Sequence, residues 1–152
     1  MSTFAKLNLK DQKDIVIEHA PASFEPEIAL LKGVTVRRAM SDAKQVDFSL
    51  TFATKQKEVD SLAKAVGRKA AGDAIVWVAY PKKSSKTYTC EFNRDSGWPS
   101  MGAAGFEPVR MVAIDEDWSA LRFRRAEFIK TMTRPQEHRY SAEAKARKGK
   151  QR

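Results

Sequence analysis

The sequence predicts a three-layer α/β sandwich, in which a mostly parallel sheet of about six strands carries helices on both faces and closes with a C-terminal antiparallel hairpin. Three observations carry this prediction. Strand-like and helix-like segments alternate in the order β-α-β-β-α-β-α-β-β. The segment Ala74–Tyr80 is apolar without alternation, which marks a strand covered on both faces and central in a parallel sheet. The last two strands are joined only by Asp115–Ser119, too short a link for a crossover, so they pair as a hairpin.

Each element has its own local reason. Asp14–His19 has the β-branched enrichment of a short buried strand and stops at Pro21. Ser23 is placed to cap a short helix with Pro26 in its first turn; Phe24, Ile28 and Leu31 fall on one face, and Gly33 ends it. Val34–Ala39 reads as a second strand, whose Arg37 and Arg38 suit a sheet edge. Val46–Phe52 alternates apolar and polar residues as a third. A helix from about Lys55 to Ala71 follows, because Val59, Leu62, Ala63, Val66 and Ala70 form one stripe, with Gly72 as its stop. Ala74–Tyr80 is the fourth strand, closed by Pro81. Residues 82–94 are polar and read as a long loop. A weak helix is then expected from Asp95 or Ser96, with Pro99 in its first turn and Gly105 at its end. Val109–Ile114 and Ala120–Arg124 complete the sheet.

A chain of 152 residues, 42% hydrophobic and 31% charged, fits one compact domain. A core of that size needs no disulfide or metal. The lone Cys90 cannot form an intrachain bridge, and no Cys/His cluster has metal-ligand spacing, so a cytoplasmic protein without a metal or other cofactor is expected. No apolar run approaches the ~20 residues of a membrane span, and residues 1–13 lack the apolar core of a signal peptide. Neither membrane insertion nor secretion is expected.

Charge divides the chain into a domain, residues 1–129, and a tail, residues 130–152. The tail holds eight basic residues against two acidic ones and so carries six of the nine net positive charges. Beyond Met132 it has no Val, Ile, Leu, Phe or Trp with which to offset the entropy of ordering, so it is expected to be flexible or partly helical. Thr133, Pro135 and Gln136 suit the start of a short helix anchored by little except Tyr140. Such a tail could bind nucleic acid through phosphates without sequence preference, or serve only to solubilise.

Three stretches carry a resemblance: Trp77–Ser85 (WVAYPKKSS), Asn93–Trp98 (NRDSGW) and Asp115–Arg124 (DEDWSALRFR). Together they resemble a bacterial family known only as a domain of unknown function, over about Asp14 to Arg125, and that family implies no activity. The closing strand, helix, strand and hairpin also resembles the end of class I S-adenosylmethionine-dependent methyltransferases, which implies a Rossmann-like topology. Those enzymes carry a glycine-rich turn after the first strand, where this chain has His19-Ala20-Pro21-Ala22-Ser23. Their acidic residue after the second strand has a counterpart in Asp42. Their acidic or Asn-Pro-Pro motif after the fourth strand is replaced by Ala53-Thr54-Lys55.

In an open parallel sheet, ligands bind where the carboxyl ends of the strands emerge. That edge should gather His19, Thr54, the loop Lys82, Lys83, Ser84, Ser85 and Lys86, the turn from Asp115 through Asp117 to Trp118, and Asn93, Arg94 and Asp95 at a helix start. The lysines and serines would donate to an anion, the helix start near Ser96 would add partial positive charge, and Trp98 or Trp118 would stack on a base. The expected function is a non-catalytic domain binding a small anionic or nucleotide-like ligand; a nucleic-acid accessory protein and a divergent methyltransferase are the alternatives. A purely structural reading stands beside these: Asp115 and Asp117 shape the hairpin turn and pair with Arg94 or Arg122, and the tryptophans cap the core. No Walker-type loop, dinucleotide fingerprint or Gly-x-Ser-x-Gly elbow is present. Cys90 and His19 lack the neighbours of a nucleophile and its base.

Overall fold

The computed structural model describes residues 2–93 and 96–129; the predicted tail and the Arg94–Asp95 pair lie outside them. The strands are β1 (Asp14–Glu18), β2 (Thr35–Arg37), β3 (Val46–Phe52), β4 (Ala70–Pro81), β5 (Phe106–Ala113) and β6 (Trp118–Arg125). They form one six-stranded sheet in the order β2-β1-β3-β4-β6-β5. The first four run parallel, and β6 runs antiparallel between β4 and β5. The predicted α/β sandwich with a closing hairpin is the observed fold.

Helices α1 (Thr3–Lys6) and α2 (Glu25–Ala29) cover one face of the sheet, and α3 (Gln56–Lys69) and α4 (Pro99–Ala103) cover the other. Strand β4 explains why both faces need a cover. Val76, Val78 and Tyr80 point into the core under α3 and α4, while Ile75, Trp77 and Ala79 point into the core under α1 and α2. Because successive side chains alternate between faces, an unbroken apolar run is what two cores require. The indole of Trp77 is fully buried, and its Nε1 donates to the Leu7 carbonyl at 2.8 Å, which ties the N-terminal segment to the centre of the sheet.

Several expectations are corrected. β4 is interior, but only β3 runs parallel to it; its other neighbour, β6, is antiparallel. β3 alternates polar and apolar residues, yet Ser49 and Thr51 are buried, because their face lies under α3 and not in water. Helix α3 stops at Lys69, and β4 begins at the next residue, so Gly72 is not the helix stop. It sits at φ +53° in the irregular stretch between the pairings Val46↔Ala70 and Phe48↔Ile75. Ser23 does not cap α2: it lies within a 3-10 turn, Ala22–Phe24, and Phe24 occupies the N-cap without a side-chain bond.

Edge strand β2 is three residues long; it pairs with β1, and ion pairs flank it. Arg37 donates two bonds of 2.7 Å to Asp14 and holds that carboxyl below its usual range. Arg38 grips Glu25 at 2.7 and 2.9 Å with the same effect.

Candidate functional site

The antiparallel course of β6 fixes the site. Because β6 starts where β4 ends, Pro81 pairs with Trp118, and the loop after β4 emerges beside the β5–β6 turn. The Lys82 amide donates to the Asp117 carbonyl at 2.8 Å, so the lysine-bearing loop and the acidic turn meet as the sequence predicted. Between the end of β4, residues 82–93, Met111 of β5 and Ser119 of β6 opens a cleft of about 750 Å³.

Four of the predicted ligand residues line this cleft: Lys82, Lys83, Ser85 and Asn93. The others do not. Ser84 and Lys86 are exposed outside the lining. Asp115 makes the turn, its Oδ1 accepting from the amides of Asp117 and Trp118 at 2.8 Å each. Asp117 accepts from the Ser85 hydroxyl at 2.8 Å, and Ser85 Oγ in turn accepts from the Thr87 and Tyr88 amides. These three residues therefore shape the loop and turn, a role the structural reading gave to Asp115 and Asp117 but not to Ser85, and the Ser85 proton is not free for a ligand.

The stacking roles are corrected as well. Trp118 is 3% exposed and Trp98 fully buried, so neither offers a face to a base. Trp118 packs edge-on against Phe52 and Trp98 against Phe92, as core residues do. Helix α4 starts at Pro99, not near Ser96, because Gly97 at φ +93° cannot join a helix; with five residues, it brings no helix-end charge to the site. Arg122 does not pair with the acidic turn; the carboxylate that acts on its charge is Asp73.

The sequence reading missed the aromatic wall. Tyr80, Tyr88 and Phe92 line the cleft together with Thr89, Cys90 and Glu91. Phe92 wedges between Tyr80 and Trp98, with ring centroids 5.9 and 5.1 Å away. Two aromatics in an otherwise polar loop were the available signal, since large rings seldom stay in water. The loop is stitched to α3 by Glu91, whose amide donates to the Thr54 carbonyl at 2.9 Å and whose Oε1 accepts from the Gln56 amide at 2.8 Å. Burial pushes the Cys90 thiol up, with Glu91 and Glu58 reinforcing the shift, which is the wrong direction for a nucleophile.

The other candidate crevice lies where the strand order reverses, between the ends of the parallel strands β1 and β3. Its polar groups serve each other. The Glu18 carboxylate accepts from the Met40 amide at 2.9 Å and the Thr51 hydroxyl at 3.3 Å. Glu58 Oε1 accepts from the Thr54 and Lys55 amides at 3.0 Å each, and His19 Nδ1 lies 3.5 Å from its other oxygen. Together with Glu91 on Gln56, two carboxylates thus occupy the start of α3, where an anion would otherwise dock. His19 itself sits at φ +58°, a conformation that glycine adopts freely and a bulky residue does not.

No protein-family model and no curated protein matches this chain. Solved structures share its fold. A SAM-dependent methyltransferase from Aquifex aeolicus superposes with a TM-score of 0.57 at 14% identity, covering 81% of this chain and 87% of that one. The N-methyltransferase NodS from Bradyrhizobium japonicum WM9 gives a TM-score of 0.51 at 8% identity over 80% and 91%. A fibrillarin pre-rRNA processing protein from Methanococcus jannaschii gives 0.50 at 13% over 76% and 67%. The chain therefore has a methyltransferase-like α/β fold, and identities this low carry the fold alone.

S-adenosylmethionine is the cofactor that such a fold implies. The residues at the β1–β3 crevice do not fit it: the turn after β1 places a histidine side chain where a close backbone approach is needed, and Glu18 and Glu58 are already bonded within the protein. Among the described residues no group of His, Cys, Asp and Glu could hold a metal, and no helix is long and apolar enough to cross a membrane.

Proposed function

We propose that residues 1–129 form a cytoplasmic, non-catalytic ligand-binding domain of the uncharacterised bacterial family that its three motifs resemble, and that the cleft after β4 takes a small anionic, nucleotide-like molecule. One observation carries the reading: the half-buried Tyr88 ring, with the buried Tyr80 and Phe92 forming the floor of the cleft, lines the same space as Lys82, Lys83 and Asn93. Lysine ammonium groups attract phosphate, and the half-buried Tyr88 ring can accept a base, so the pairing suits both halves of a nucleotide. A volume of about 750 Å³ falls within the range of small-molecule sites.

A thermal-shift panel of nucleotides, phosphorylated metabolites and S-adenosylmethionine tests this. A ligand at about 100 times its Kd adds roughly 2.7 kcal/mol, a shift of several degrees for a chain of this size. The expected result is such a shift from a nucleotide-type compound, lost in Lys83→Ala, whose side chain is exposed and whose removal leaves the fold intact. If no compound stabilises the chain and Lys83→Ala is equally indifferent, the reading fails. The shared fold favours a second reading, a divergent methyltransferase; stabilisation by S-adenosylmethionine and not by nucleotides is the result that would support it.

A further inference from the structure

The hairpin carries a feature that the cleft does not use. One row of side chains crosses the sheet on the face covered by α1 and α2: Ile17 pairs with Leu50, Leu50 with Trp77, Trp77 with Arg122, and Arg122 with Arg110. The first three are fully buried. The row then ends in two arginines placed directly opposite each other on adjacent strands, where Cβ atoms stand about 4.5–5.5 Å apart and like charges destabilise the ladder.

Their surroundings do little to offset this. Arg37, Arg38 and Arg124 each grip a carboxylate by two bonds, the last holding Asp73 at 2.8 and 2.5 Å. Arg110 and Arg122 have no such partner among the described residues. Arg110 Nη1 reaches only the neutral Asn8 Oδ1, at 3.2 Å. Arg122 Nε is sealed from solvent without a hydrogen bond. Burial, with Arg124 and Arg110 nearby, pushes the Arg122 guanidinium down in spite of Asp73. Asp73 is already held by Arg124, so the half-buried Arg122 has no hydrogen-bonded counter-charge of its own; that is costly, and an anion from outside would reduce the cost.

We propose that Arg110 and Arg122 form a second anion site, on the sheet face opposite the cleft, that takes a phosphate group. Two guanidinium forks about one strand spacing apart offer several N–H donors to one tetrahedral, doubly charged oxyanion, whereas a single carboxylate would engage one fork. Arg110 is exposed, so the group has a way in. Either a free phosphorylated compound or the backbone of a nucleic acid would present this chemistry. The site shares no residue with the cleft, since Met111, the residue after Arg110, faces the other way, toward Tyr80.

The test uses the full chain and two probes, inorganic pyrophosphate and a short single-stranded thymidine oligonucleotide. Arg110→Gln and Arg122→Met are compared with Lys64→Gln, which removes the same charge from the exposed side of α3. Pyrophosphate is expected to bind about tenfold more weakly to each arginine variant and unchanged to Lys64→Gln. For a nucleic-acid source, each arginine variant instead lowers the slope of log affinity against log salt by about 0.7, measured between about 50 and 200 mM. Without any probe, Arg122→Met should melt no lower than the original chain, because it relieves the like-charge contact; a residue that only supports the fold would lower the melting temperature. Binding of both probes that is insensitive to both arginines, or no binding of either, overturns the proposal.

Discussion

Trp77→Ala is expected to remove about 3–5 kcal/mol of unfolding free energy, much of what a domain of this size possesses. The indole is fully buried in the middle of the sheet, flanked by Leu50 on β3 and Arg122 on β6, and it fills the core beneath α1. Alanine leaves a cavity there and also strands the Leu7 carbonyl, which now accepts the indole proton at 2.8 Å. Trp77→Phe separates the two contributions: it keeps most of the ring but not the donor, and should cost about 1–3 kcal/mol for the orphaned carbonyl. Urea unfolding of the three proteins measures both. A loss below about 1 kcal/mol in the alanine variant would mean that the N-terminal segment does not pack on the sheet as described.

Gly97→Ala should cost about 2–4 kcal/mol, although it adds a single methyl group. Two penalties combine. The residue sits at φ +93°, outside the region that alanine favours, and its new Cβ would fall 2.6 Å from Phe92 Cβ and 3.0 Å from both Phe92 Cγ and Gln56 Oε1. Phe92 cannot retreat, because Tyr80 and Trp98 pack against it. Gly72→Ala provides the internal control: at φ +53° with nothing within 4 Å, it pays only the conformational cost, about 1–2 kcal/mol. Equal losses at the two positions would show that Phe92 yields, and with it the cleft wall.

What could be read from the sequence followed from burial. The unbroken apolar run in β4 required two cores, the stripe on α3 required one, and the short link at Asp115–Ser119 required a hairpin; all three are present. Helix α1 escaped notice because a helix of four residues, capped by Ser2, is too short to show a period; only Phe4 and Leu7 reveal its buried side. The irregular run from Ala71 to Ala74 was hidden for another reason. Sequence shows where a helix weakens, but not that β3 captures Ala70 before the strand proper begins. At the site, the meeting of lysine loop and acidic turn followed from topology. The turn-closing role of Asp115 and Asp117 was one of two readings and that of Ser85 was not read at all, because a side chain that closes a turn and one that awaits a ligand have the same composition.

The burial of all three tryptophans has an optical consequence. Every fluorophore of this class is shielded from water, so the native emission should be blue-shifted and should move to longer wavelength only on unfolding. Trp98 and Trp118 back onto rings of the cleft wall, Phe92 at 5.1 Å and Tyr88 at 4.9 Å, whereas Trp77 reports only from the far side of the sheet. Occupancy of the cleft would thus register as a change in intensity without a change in colour, and the chain carries its own label-free gauge of binding.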